Sequence, residues 1–183
     1  MDTALSSPLH LSAGICAKNL GLPLPLILAI IKVESGGDIF GWNPEPKYRY
    51  FWDVRLNRPF RPVTALEIAS ELPPPDFLSG AGDRDAEWWG QAASWGPMQV
   101  MGGVARELGM KGHFPQLCST HMGVEYGCRH LSNLSRRFQK EHGWRGVAAA
   151  FNAGSPRRQD GTSLFENQVY VDKVARAGGF GNG

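Results

Sequence analysis

Residues 22–37 read Leu22-Pro23-Leu24-Pro25-Leu26-Ile27-Leu28-Ala29-Ile30-Ile31-Lys32-Val33-Glu34-Ser35-Gly36-Gly37. Proline suits the first turn of a helix, where its missing N–H would have no partner. The stretch therefore predicts a helix from Pro25 to about Glu34. Gly36 and Gly37 then supply the positive backbone angle that commonly ends one. Ile27, Ile30 and Ile31 stand seven, four and three residues before Glu34, so the four share a face. A carboxylate on such an apolar stripe is partnered, is at the helix end, or is put to use. Partial burial and the negative end of the helix dipole both disfavour its anion and raise its pKa. That is the property a general acid needs at neutral pH. A rim glutamate, or a partner for Lys32 or an arginine, is the plainer reading of the same spacing. The apolar run itself is too short to span a bilayer. It holds two prolines, only Lys18 stands close before it, and no small-residue cleavage site follows, so neither an export signal nor an anchor is read here.

Helical periodicity continues on both sides. A helix is expected from Ser7 to Leu20, with Pro8 near its start. A short one fits Thr64 to Leu72 before Pro73-Pro74-Pro75, and another fits Asp83 to Ala93 after the Gly80-Ala81-Gly82 loop. Pro97 is read as a further first-turn proline opening a helix to about Leu108. The clearest helix runs from Thr120 to Lys140, with Val124, Cys128, Leu131, Leu134 and Phe138 at helical spacing. Gly143 separates it from an alanine-rich helix, Trp144 to Asn152, that ends at Gly154. A last helix spans Leu164 to Ala177 with Tyr170, Val174 and Ala177 on one face, followed by a frayed Gly178–Gly183 tail. With no alternating strand pattern of useful length, the expected class is all-α: one domain over residues 1–183. Residues 41–93 fit least well and form an irregular insertion, which either walls a cleft or merely elaborates the surface.

The formal net charge of +2 over 183 residues, without clustering, argues against a nucleic-acid partner. Six tryptophans, nine phenylalanines and four tyrosines suit a core plus a carbohydrate-stacking cleft. Three cysteines make a disulfide framework unexpected. Cys118 and Cys128 would lie about 12–15 Å apart at helical rise, beyond bridging reach. Reduced thiols are therefore expected at Cys16, Cys118 and Cys128. His10, His113, His121, His130 and His142 lack paired ligand spacing and read as surface or helix-end residues, so neither a metal nor another cofactor is expected. No serine or cysteine nucleophile signature is present.

Four segments, in order, resemble the signatures of soluble lytic transglycosylases. They are Ile31-Lys32-Val33-Glu34-Ser35-Gly36-Gly37, Ser94-Trp95-Gly96-Pro97-Met98-Gln99-Val100-Met101, Ala149-Ala150-Phe151-Asn152-Ala153-Gly154 and Glu166-Asn167-Gln168-Val169-Tyr170-Val171. The resemblance implies a mainly helical, lysozyme-like catalytic domain that cleaves peptidoglycan glycan strands. It assigns Glu34 as the single acid/base and Ser35 as its helix-ending neighbour. Met98 and Gln99 would line the cleft at a helix start, with Gln99 offering its amide to sugar or serving as a helix cap. Asn152 would hydrogen-bond substrate, and the Tyr170 hydroxyl would approach the carboxylate. Pro97 stands where the family usually has leucine, a benign change. Phe151 stands where it usually has tyrosine, which keeps the stacking surface but removes one polar contact.

The implied chemistry is cleavage between N-acetylmuramic acid and N-acetylglucosamine with closure of a 1,6-anhydro ring. A hydrolytic muramidase of the same fold is the first alternative. It would need a second carboxylate about 6.5–9.5 Å away when inverting, for which Asp38, Glu45 and Asp53 are close in sequence and Glu45 is favoured. A non-catalytic envelope-binding component of a virion or secretion machine is the second. The expected protein is a monomer with no stable membrane insertion. It is made without an export signal and brought to the bacterial cell wall by a holin, a virion or a secretion system, with an endolysin-like phage or prophage source preferred.

Overall fold

The computed structural model describes residues 5–79 and 82–181; of the expected loop, Gly80 and Ala81 lie outside them, as do the last two residues of the tail. The helices are α1 (Ser7–Leu20), α2 (Leu24–Ser35), α3 (Ala65–Ala69), α4 (Arg84–Gln91), α5 (Gly102–Glu107), α6 (Met122–Ala153) and α7 (Gln168–Arg176). A 3₁₀ turn covers Phe114–Leu117. About half of the chain is helical, yet the all-α expectation is wrong, because two small antiparallel sheets accompany the helices. β1 (Trp42–Pro44), β4 (Ala93–Trp95) and β5 (Val100–Met101) form one, in the order β1-β4-β5; β2 (Trp52–Asp53) and β3 (Arg58–Pro59) form the other. Strands of two or three residues are too short for a two-residue alternation to show in sequence.

The main core is helical. Leu9 and Ala13 of α1, Leu26, Ile27 and Ile30 of α2, Val124, Leu131 and Leu134 of α6, and Val174 of α7 bury completely or nearly so. Its helix α6 breaks at Gly143 (φ 62°, ψ −174°), as its glycine suggests, and the alanines beyond let that half pack closely against its neighbours. Gly36 closes α2 in the left-handed conformation, its N–H donating to the Lys32 carbonyl.

Residues 41–93 are more ordered than expected. Phe51, Val63, Phe77, Trp88 and Ala92 form a separate small core, with Phe51 stacked on Trp88 at 3.8 Å and Phe77 edge-on to it at 5.1 Å. Thr64 and Glu67 form a reciprocal capping box that starts α3, which ends at Ala69 rather than Leu72. The segment is also joined to the rest by β1, which pairs Trp42 with Trp95, Asn43 with Ser94 and Pro44 with Ala93.

Three further expectations fail. Pro97 does not open a helix. Gly96-Pro97-Met98-Gln99 is the tight turn of the β4–β5 hairpin, and α5 starts only at Gly102. Gly96 has φ 71°, and a Cβ there would meet the Leu117 carbonyl oxygen at 2.0 Å. Gly96→Ala should therefore destabilise the protein by about 3 kcal/mol or more, read as an earlier midpoint in urea unfolding. Next, α7 starts at Gln168 rather than Leu164, because Phe165 instead bridges back to Arg158. Finally, the tail is docked as far as Phe180, whose ring packs on the core beneath the Arg145 guanidinium at 4.8 Å.

Candidate active site

Glu34 sits in the last turn of α2, half-buried beyond the wholly buried Ile27, Ile30 and Ile31. Its Oε1 accepts a 2.7 Å hydrogen bond from the Tyr170 hydroxyl of α7. Burial raises the Glu34 pKa above the usual carboxylate range; the Tyr170 phenol and the nearby Lys173 ammonium pull the other way without cancelling it. Tyr170 is itself desolvated and faces the carboxylate, so it stays firmly protonated and acts as a donor. The tail of α2, the first turn of α7 and an acid biased towards its protonated form thus meet at one point.

Ser35 anchors the adjoining hairpin. Its hydroxyl donates to the Pro97 carbonyl at 2.8 Å and accepts from the Gly37 N–H at 3.1 Å. That contact ties the end of α2 to the β4–β5 turn, so Ser35 has a positioning role.

Two expected cleft residues behave differently. Met98 is wholly buried in the core, and Gly127 of α6 makes room for it: a Cβ there would stand 2.4 Å from its sulfur. It therefore does not line a cleft. Gln99 does not cap a helix either. It occupies the turn with φ 48°, its Nε2 donates to the Gly96 carbonyl at 2.9 Å and its Oε1 accepts from Ser94 Oγ at 2.9 Å. Its amide braces the hairpin. The cap reading of Gln99 followed from taking Pro97 as a helix start, whereas the cleft position of Met98 came from the resemblance alone.

Asn152 is exposed in the last turn of α6, where its Oδ1 accepts from Asn167 Nδ2 at 2.9 Å. Asn167 also donates to the Ala149 carbonyl at 2.9 Å and precedes α7, its own carbonyl accepting from the Tyr170 N–H at 2.9 Å. It therefore couples Asn152 to the helix that carries Tyr170. The sequence reading assigned Asn167 no role; an asparagine just ahead of a helix was the available signal. Lys173, one turn beyond Tyr170, was missed because an exposed lysine has no local signature. Phe151 is half-buried on the main core, with its ring 5.4 Å from that of His130. His130 is half-buried rather than fully exposed, and desolvation holds its pKa down at about 4.

The proposed second carboxylates are engaged locally. Asp38 accepts from the Phe40 N–H at 2.8 Å, and Glu45 from Asn43 Nδ2 at 2.6 Å. Asp53 accepts from the Arg55 and Leu56 N–H groups, each at 3.0 Å. Among the described residues no group of three His, Cys, Asp or Glu side chains could hold a metal ion, and Cys16, Cys118 and Cys128 are free thiols. No helix of the described residues is long and apolar enough to cross a membrane.

No protein-family model, no curated protein and no solved structure matches this chain.

Proposed function

We propose that this protein is a peptidoglycan lytic transglycosylase in which Glu34 acts as the single acid/base. The observation that carries the reading is the 2.7 Å hydrogen bond from Tyr170 to a half-buried Glu34 whose pKa is raised. It joins two segments 136 residues apart, both of which resemble the family's signatures and are expected to meet in this way.

The chemistry needs no external water. The Glu34 carboxyl passes its proton to the glycosidic oxygen as the bond to muramoyl C1 breaks, and N-acetylglucosamine leaves as its 4-hydroxyl. The muramoyl acetamido group stabilises the positive charge at C1. The C6 hydroxyl of the same sugar then attacks C1, returning its proton to Glu34 and closing the 1,6-anhydro ring. One carboxyl therefore suffices, in keeping with the local engagement of Asp38, Glu45 and Asp53. Digestion of purified sacculi followed by product mass analysis tests this directly. Anhydro ends are lighter by one water than hydrolysed ends. Hydrolysed ends would select the muramidase, and sacculi bound without release of fragments would select the non-catalytic envelope component.

A pH profile tests the electrostatics. Activity requires the protonated acid, so kcat/KM should fall as pH rises through the Glu34 pKa. The Tyr170 hydrogen bond favours the carboxylate, so Tyr170→Phe should raise that pKa and move the alkaline limb to higher pH. The same substitution should lower kcat by about tenfold or more, a charge-assisted bond being worth roughly 1.5–3 kcal/mol. An unmoved limb in this variant would remove Glu34 as the titrating group.

A further inference from the structure

A cavity of about 540 Å³ opens beside the β1–β4 ladder, and Glu34 does not line it. Three of the six tryptophans surround it: Trp42 from β1, Trp95 from β4 and Trp89 from α4. Its back wall is rigid. The Trp95 indole N–H donates to the Gly90 carbonyl at 2.9 Å, and its ring stacks on Phe114 at 5.9 Å and 17°. The Arg106 guanidinium lies over the Phe114 ring at 4.2 Å, fixing that ring from above. Gly90 permits this packing, since a Cβ there would stand 2.2 Å from the Phe114 ring. In front of the wall, Trp42 leans against Trp95 at 6.0 Å and 43° with 57% of its surface exposed, and Trp89 is 37% exposed.

Rings held open to solvent at a cavity are an arrangement for stacking a ligand. The charges narrow the ligand class. Arg106 is neutralised by Glu87 through a 2.8 Å ion pair, which leaves Lys111 and Asp83 at the cavity as opposite charges. That balance gives no excess attraction for phosphates, which weighs against a nucleotide. A neutral ring with apolar C–H faces and polar edges fits both the aromatic walls and the mixed rim. An acetamido methyl adds a small apolar group that suits the Trp95–Phe114 wall.

We infer that this cavity is a saccharide-holding site for an N-acetylated hexose ring of a glycan chain, separate from the carboxylate at Glu34. The choice of sugar rests on the glycan reading above; the site's existence does not require that Glu34 cleave anything. The hairpin connects the two places: Trp95 directly precedes the turn that Ser35 anchors beside Glu34. A strand gripped at the tryptophans would stay tethered between cleavage events.

Fluorescence titration with the β-1,4-linked N-acetylglucosamine tetramer tests the assignment, with maltotetraose and a short anionic peptide as comparison probes. The amino-sugar tetramer should quench tryptophan emission saturably, and maltotetraose should bind at least tenfold more weakly. Trp89→Ala and Trp42→Ala should each weaken tetramer binding at least tenfold, while Trp89→Phe and Trp42→Phe recover most of it by keeping a ring. Glu34→Gln should bind as the wild type does, which separates this site from the catalytic proposal. Three results would overturn the inference: no saturable binding, wild-type affinity in both alanine variants with unchanged circular dichroism, or tighter binding of the peptide than of the tetramer. An inactive wild type that still shows the tryptophan-dependent binding would defeat the lyase reading and leave this site standing.

Discussion

Glutamine in place of Glu34 is expected to reduce release of soluble fragments from sacculi at least about a thousandfold, within the 10²–10⁴ range that positioned acid/base groups contribute. The amide is nearly isosteric, and its carbonyl oxygen can still accept the Tyr170 hydroxyl, so the architecture at the end of α2 should persist. What it cannot do is release and recover a proton. The same variant should be more stable than the wild type at neutral pH. In the folded chain the Glu34 carboxyl keeps its proton to a higher pH than in the unfolded chain, because burial penalises the anion. Between those two pKa values the native state binds more protons, so native stability falls as pH rises through that window and the full penalty applies above it. Each pKa unit is worth about 1.4 kcal/mol, and each kcal/mol moves the melting temperature of a chain this size by roughly 2–4 °C. The glutamine variant should therefore melt higher than the wild type at pH 7–8, with the gap closing below the ordinary carboxylate range. Turnover close to that of the wild type would end the proposal for Glu34, whatever the melting curves show.

Truncating Arg106 to alanine should be the most destabilising of the single charge removals. Its guanidinium is 8% exposed and grips both oxygens of Glu87, itself 7% exposed, through two 2.8 Å bonds. It also donates to the Met110 and Gly112 carbonyls at 2.8 Å. Gln91 extends the network, donating to Glu87 at 2.8 Å and bonding both backbone groups of Trp52 at 2.7 and 2.9 Å. The group thus fastens α4, α5, β2 and the 110–112 loop together. Removing one partner strands a buried charge, a loss of about 3–5 kcal/mol, or a fall in melting temperature on the order of 10 °C. A double replacement, Glu87→Leu with Arg106→Met, should recover much of that, because no charge is then left buried. Calorimetry of the three variants decides the matter. An alanine variant within 1 kcal/mol of the wild type would mean that water reaches the pair.

Neither Glu87 nor Arg106 stood out in sequence. They lie 19 residues apart on separate helices, and a charged residue at helical spacing reads as an exposed one. The three glycine-flanked helix ends are the opposite case. Gly36, Gly143 and Gly154 punctuate the chain through backbone angles that are local properties, and the structure has non-helical conformations at all three. The apolar face ending in Glu34 is equally local, a matter of 3.6-residue periodicity.

Pro97 marks where local reasoning failed. Proline fixes its own φ and removes a donor, which suits a helix start and a tight turn alike. The choice fell to Ser35, which bonds the Pro97 carbonyl from 62 residues away, and to Leu117, against which only a glycine at 96 can pack. Met98 and Gln99 changed roles with that choice, one entering the core and the other bracing the hairpin.

Chain order alone thus settled α1, α2, the glycine break and stop of α6 and the residue types at the candidate site, because periodicity and backbone preference act over a few neighbours. Folding in three dimensions settled the sheets, the hairpin and the Trp42–Trp89–Trp95 cavity, and it made the Tyr170–Glu34 bond that only the family resemblance anticipated. Those depend on contacts between distant segments, and short-range patterns carry no record of which strand, ring or carboxylate will lie opposite.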